Sequence, residues 1–173
     1  MLSRRLLLLI LLWGLNWFTY GCQSSLPANT NTNKIPIEIT RIVSGQTVEG
    51  IINDRQYVIR LSGVDTPSFK QKPWGKQAKK FLADSLKNKS NAFSSPISIE
   101  TDVNKKDKYD RISGYLWIED KMINEQIIAQ GYGVANLTYT DGKYDRQLND
   151  AQLYARIMGK GIWNPDKPLR QLK

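Results

Sequence analysis

Two adjacent residues, Asn53 and Asp54, separate an apolar run at 47–52 from another at 56–61, and a tight β-hairpin is the simplest way to join them. Both residue types tolerate the backbone that such a turn demands. The flanking Val, Ile and Tyr residues prefer an extended chain. Upstream, Ile37, Ile39, Arg41 and Val43 alternate with Glu38, Thr40 and Ile42, an imperfect two-residue period that reads as a strand turned at Ser44-Gly45. Pro67 ends the third strand. A helix is expected from about residue 73, with Ala78, Phe81, Leu82, Ser85 and Leu86 on one face.

Residues 96–101 and 112–118 read as the fourth and fifth strands. Asn124 is placed as the cap of a short helix that carries Ile127 and Ile128 and stops at Gly131. The last helix spans roughly 144–158, turning Leu148, Ala151, Ala155 and Met158 inward before Gly159 and Gly161. This order predicts an α+β fold: a five-stranded β-barrel of the OB type, capped by about three helices.

Composition removes several chemistries. The 173-residue chain has no histidine and one cysteine. Imidazole bases, Ser-His and Cys-His triads, internal disulfides and zinc-thiolate clusters are therefore excluded. With 25 Lys+Arg against 16 Asp+Glu, the chain favours polyanionic partners.

The N-terminus reads as an export signal. Arg4 and Arg5 precede an apolar stretch at 6–18, shorter than the ~20 residues of a membrane span. Gly21 then stands directly before Cys22, which resembles a bacterial lipoprotein signal with Cys22 as the lipidated residue. Simple secretion and an uncleaved anchor are the alternatives. The expected organisation is a signal at 1–21, a Ser/Asn/Thr-rich tether at 22–34 and one folded domain at 35–173, acting as a monomer. The protein is expected at the cell envelope, held to the membrane through Cys22.

Candidate chemistry gathers in two segments, Arg60-Leu61-Ser62-Gly63-Val64-Asp65-Thr66-Pro67 and Asp107-Lys108-Tyr109-Asp110-Arg111. Two arginines, a carboxylate at a strand end and a Lys-Tyr pair are the parts of a site that grips a phosphodiester. Arginine presents a planar fork matching two phosphate oxygens and keeps its charge. Read more plainly, either arginine makes a surface ion pair, Asp65 caps a turn, and Tyr109 sits on a rim. Asp107 suits an ion-pair partner that orders its loop, and Asp110 suits a turn position. The lysine-bearing runs at 70–80 and 105–108 adjoin these segments, either as a rim for a polyanion or as solvated faces.

These segments, together with Ser44-Gly45-Gln46-Thr47-Val48, Lys72-Pro73-Trp74-Gly75-Lys76-Gln77-Ala78, the stretch 124–131 and the closing Gly161-Ile162-Trp163, make residues 39–163 resemble the thermonuclease (staphylococcal-nuclease-like) family. The resemblance implies an OB-fold and calcium-dependent hydrolysis of DNA or RNA phosphodiesters. It assigns Arg60 and Arg111 to phosphate charge, Asp65 and the Thr66 carbonyl to the metal, and Lys108 and Tyr109 to a terminal phosphate of the substrate. Two positions depart from the family pattern. Gln46 stands where a metal-ligating aspartate is expected, and Ser68 where the general-base glutamate is expected. Calcium binding should be weakened, because affinity follows the number of charged ligands. Loss of a positioned base costs typically ~10²–10⁴-fold. The implied function is impaired nucleic-acid hydrolysis; the alternative is a non-catalytic module that binds nucleic acid or another polyanion at the cell envelope.

Overall fold

A computed structural model describes residues 34–87, 97–107 and 109–169. The expected signal, Cys22, nearly all of the tether and Lys108 lie outside the described residues. The strands are β1 (Lys34–Pro36), β2 (Glu38–Ser44), β3 (Thr47–Ile52), β4 (Arg55–Leu61), β5 (Val64–Asp65), β6 (Ile97–Lys106), β7 (Ile112–Ile118), β8 (Lys121–Met122) and β9 (Val134–Ala135). Three helices accompany them: α1 (Trp74–Leu86), α2 (Ile123–Ala129) and α3 (Asp145–Ile157). The α+β class and the three helices are those expected.

The main sheet runs β1-β6-β7-β4-β3-β2, with β8 added to β7, and β5 pairs with β9 separately. That path is open. The expected closed barrel is replaced by a sheet whose two end strands, β1 and β2, do not pair with each other. Short two-residue pieces such as β5, β8 and β9 carry too little period to be seen in the sequence.

At the β3–β4 hairpin the local reading holds in detail. Asn53 and Asp54 have φ of 48° and 61°, so both central residues of the two-residue turn are left-handed, as a primed hairpin turn requires. The preceding turn, Gly45-Gln46, lies under α1. A Cβ on Gly45 would come within 2.6 Å of the Ala78 Cβ, so only glycine lets the helix approach that closely. This packing fixes where Gln46 sits.

Ile39, Val48, Ile59, Leu61, Ile99 and Leu116 from the sheet meet Leu82 of α1, Ile127 of α2 and Leu148 of α3 in one buried cluster. Met158 is not part of it. Instead of turning inward, it is 57% exposed, because α3 ends at Ile157 and the chain leaves the helical period there.

Asn124 also departs from expectation. It lies inside α2, makes no cap hydrogen bond and is fully buried. Its Oδ1 accepts from the Leu116 N–H at 2.9 Å, while Nδ2 donates to the Ser62 carbonyl at 2.8 Å and the Gly114 carbonyl at 3.2 Å. The side chain thus ties the end of β4 to β7. Asn124→Ala leaves three buried backbone groups without this partner and should lower stability by about 2–3 kcal/mol in urea unfolding. A change below ~0.5 kcal/mol, the range of ordinary surface substitutions, would refute that role.

Candidate phosphate-binding cleft

Parallel pairing of β4 with β7 creates the site. Arg60 pairs with Ser113, so Arg111, two residues earlier on the same strand line, belongs to the same face. Both arginines line one cleft of about 630 Å³, together with Lys106, Asp107, Tyr109 and Asn136 among others.

Arg60 is held from below. Its Nη1 donates to the carbonyls of Leu61 at 2.9 Å and Val64 at 2.6 Å, and its Nη2 pairs with Asp65. Burial is the main influence on this guanidinium and pushes its pKa down from the ordinary value. Asp65 pulls it back up, and the like charge of Arg111 pushes it down again. The charge itself persists at neutral pH, and the two guanidiniums sense each other.

Arg111 is set by Asp107, as the sequence suggested. Asp107 Oδ1 accepts the N–H groups of Tyr109 at 2.9 Å and Arg111 at 3.1 Å, while Oδ2 accepts from Arg111 Nε at 2.7 Å and Nη2 at 2.6 Å. Burial works to raise the Asp107 pKa. The hydrogen bonds from the Arg111 side chain and these two backbone groups outweigh it, leaving the carboxyl below its usual range. Asp110 occupies the turn with φ of 61°, and its Oδ1 accepts from Lys106 Nζ at 2.5 Å. The Arg111 guanidinium carbon lies 5.1 Å from the centre of the exposed Tyr109 ring.

The remaining candidates are more scattered. Asp65 touches Arg60 through one oxygen, and its other oxygen accepts from Asn136 Nδ2 at 2.5 Å. Gln46 Oε1 accepts from the N–H of buried Thr66, joining the β2–β3 turn to the end of β5 without lining the cleft. Ser68 is exposed and also off the cleft wall. Its N–H donates to Gln71 Oε1 at 2.9 Å and its carbonyl accepts the Gln71 N–H at 2.9 Å. None of the lysines at 70–80 lines the cleft, whereas Lys106 from the second run does.

Two lining residues were missed in the sequence. Asn136 reaches Asp65 across 71 positions, and no local pattern signals that contact. Tyr139 is 83% exposed and faces the same opening. An exposed tyrosine in a polar loop was the available hint.

Calcium takes about six to eight oxygen ligands. Here both oxygens of Asp65 are engaged by nitrogen donors, and the Gln46 oxygen is engaged by Thr66. Among the described residues no group of three or more His, Cys, Asp or Glu stands together. The Asp65 and Gln46 oxygens, at the positions where the family resemblance expects metal ligands, are thus already paired with nitrogen donors.

Residues 58–165 match the family model described as "Staphylococcal nuclease homologue". The thermonuclease of Staphylococcus hyicus is 29% identical over 140 residues, covering 78% of this chain and 79% of that protein. The thermonuclease of Staphylococcus intermedius is 29% identical over 130 residues, covering 72% and 74% respectively. Endonuclease YncB of Bacillus subtilis is 26% identical over 150 residues, covering 82% and 68%.

Proposed function

Because the chain belongs to the staphylococcal nuclease homologue family, we propose that it holds nucleic-acid phosphodiesters in the cleft beside β4 and β7 and hydrolyses them slowly. The observation that carries this reading is the presence of Arg60 and Arg111 on one cleft wall, with Lys106 beside them. Two planar donor forks and a third cation suit a phosphate group. Exposed Tyr109 and Tyr139 offer flat faces at the same opening, where unpaired bases can stack for about 1–3 kcal/mol each.

The chemical contribution of this chain is charge stabilisation. As the bond between phosphorus and its leaving oxygen breaks, negative charge grows on the phosphate oxygens, and guanidinium donors fixed in advance lower its energy. Asp65 and Asp107 act here as positioning residues, aiming Arg60 and Arg111. Position 68 supplies no carboxylate base. The Ser68 hydroxyl is far too weak a base to activate water at neutral pH, so the rate is held down by ~10²–10⁴ relative to a site with a positioned carboxylate there. Binding without cleavage is the second reading, favoured by the pairing of Asp65 with Arg60 and Asn136 and by the position of Ser68 off the cleft wall. In either case the protein is exported and tethered to the envelope through Cys22.

The full chain should bind single-stranded DNA and RNA oligonucleotides with an affinity that falls steeply with salt. Log affinity against log salt should have a slope of about −2, for roughly three phosphate contacts. Products should form slowly and change little when a chelator replaces calcium. Absence of binding at low salt would overturn the proposal. Binding without any product would leave only the second reading.

A further inference from the structure

The last helix exposes an apolar face that nothing in the cleft uses. Eight large apolar side chains are exposed among the described residues, and four of them, Leu153, Tyr154, Ile157 and Met158, cluster at the end of α3. Their spacing puts Leu153, Tyr154 and Ile157 on one side of the helix, while buried Leu148, Ala151 and Ala155 hold the opposite side to the core. Ile157 is 83% exposed. Four large apolar side chains exposed together at one helix end form the kind of patch that marks a contact surface.

The chemistry around this face selects its partner. Asp150 borders this face and lies 3.9 Å from Arg146, while residues 151–165 contain no further acid and Arg156 and Lys160 stand among the apolar groups. Lys160 Nζ lies 4.7 Å from the centre of the Tyr154 ring, and the Arg156 guanidinium 5.3 Å from that of Trp163. Aliphatic tips flanked by tyrosine and cations are the side-chain set of a helix lying at a membrane–water interface. The same chain carries the apolar stretch at 6–18 and Cys22, followed by eleven residues before Lys34. Eleven residues reach at most about 40 Å when fully extended, which bounds how far the domain can stand from a bilayer holding Cys22.

We infer that the Leu153-Tyr154-Ile157-Met158 face of α3 docks on an anionic lipid surface, as a second membrane contact that orients the tethered domain. The inference is independent of whether the cleft cleaves or only binds.

The test uses the full chain with Cys22→Ser and Ile157→Cys, labelled at position 157 with a polarity-sensitive fluorophore. Vesicles combine phosphatidylcholine, phosphatidylglycerol and a nitroxide-bearing lipid. The expected result is a blue shift and strong quenching, while a label at exposed Gln56→Cys on β4 stays in water. Adding Leu153→Glu should weaken the quenching by about tenfold, the scale expected for losing one buried aliphatic side chain. A label that remains in water beside the vesicles overturns the inference. So does equal quenching on vesicles lacking phosphatidylglycerol, which removes the anionic partner. A blue shift that grows with protein concentration in the absence of vesicles would assign the face to a second copy instead.

Discussion

Arg60→Ala is expected to weaken oligonucleotide binding, and any hydrolysis, by about 10²-fold or more at fixed salt. The same change removes the donors to Leu61, Val64 and Asp65, three partners gathered under a side chain that is only 17% exposed. Asp65 would then keep Asn136 alone. Stability should fall as well, by about 2–4 kcal/mol, because stranding one member of a largely desolvated pair costs more than the pair contributed. Two controls separate the effects. Arg60→Lys keeps the charge but loses the fork, so it should recover only part of the binding. Arg111→Ala should lose comparable binding with a smaller stability cost, since its pair with Asp107 is more exposed on the arginine side. Oligonucleotide titration beside urea unfolding distinguishes them. A folded Arg60→Ala chain with undiminished binding would remove the phosphate from this cleft.

The second large effect is a gain. Gln46→Asp combined with Ser68→Glu is expected to raise phosphodiester cleavage by about 10²–10⁴-fold and to make it dependent on added calcium. Gln46 now uses its oxygen to accept from the Thr66 N–H. An aspartate there is one methylene shorter and carries a charge, which adds a second carboxylate near Asp65. Position 68 is fixed by its backbone bonds to Gln71, so the longer arm of a glutamate starts from a defined place on an open surface. The gain also requires Asp65 to give up Asn136, which a bound cation can drive. Rates measured with calcium and with chelator, in this background and with Arg60→Ala added, give the answer. If the double substitution gains nothing while the protein stays folded, the assignment of positions 46 and 68 fails.

Much of this architecture was legible in one dimension because its causes are local. Asn53 and Asp54 are the only two residues between the paired Ile52 and Arg55, and backbone preference alone selects the turn. The inward face of α1 follows from helical spacing. The parity that brings Arg60 and Arg111 to one face required a further fact, the parallel pairing of β4 with β7, and that pairing joins residues some fifty positions apart.

Asn124 shows the boundary most clearly. Its polarity beside Ile123 and Ile127 was visible, and a helix cap was the local interpretation. Its partners at 62, 114 and 116 converge only because β7 and the end of β4 pass beneath α2. Asn136, which completes the bonding of Asp65, and Tyr139, which faces the cleft, gave no periodic signal because they lie on a loop. Met158 failed for a related reason: the period continues on paper one residue beyond the point where the helix stops.

Short-range torsional preference and apolar spacing therefore specify the strands, the helices and the choice of cationic side chains, since each depends on near neighbours. Which carboxylate oxygens are already occupied, and which polar groups meet across the cleft, depends on chain segments brought together by burial of a common core. Those contacts follow from the geometry of packing, and no stretch of sequence encodes them alone.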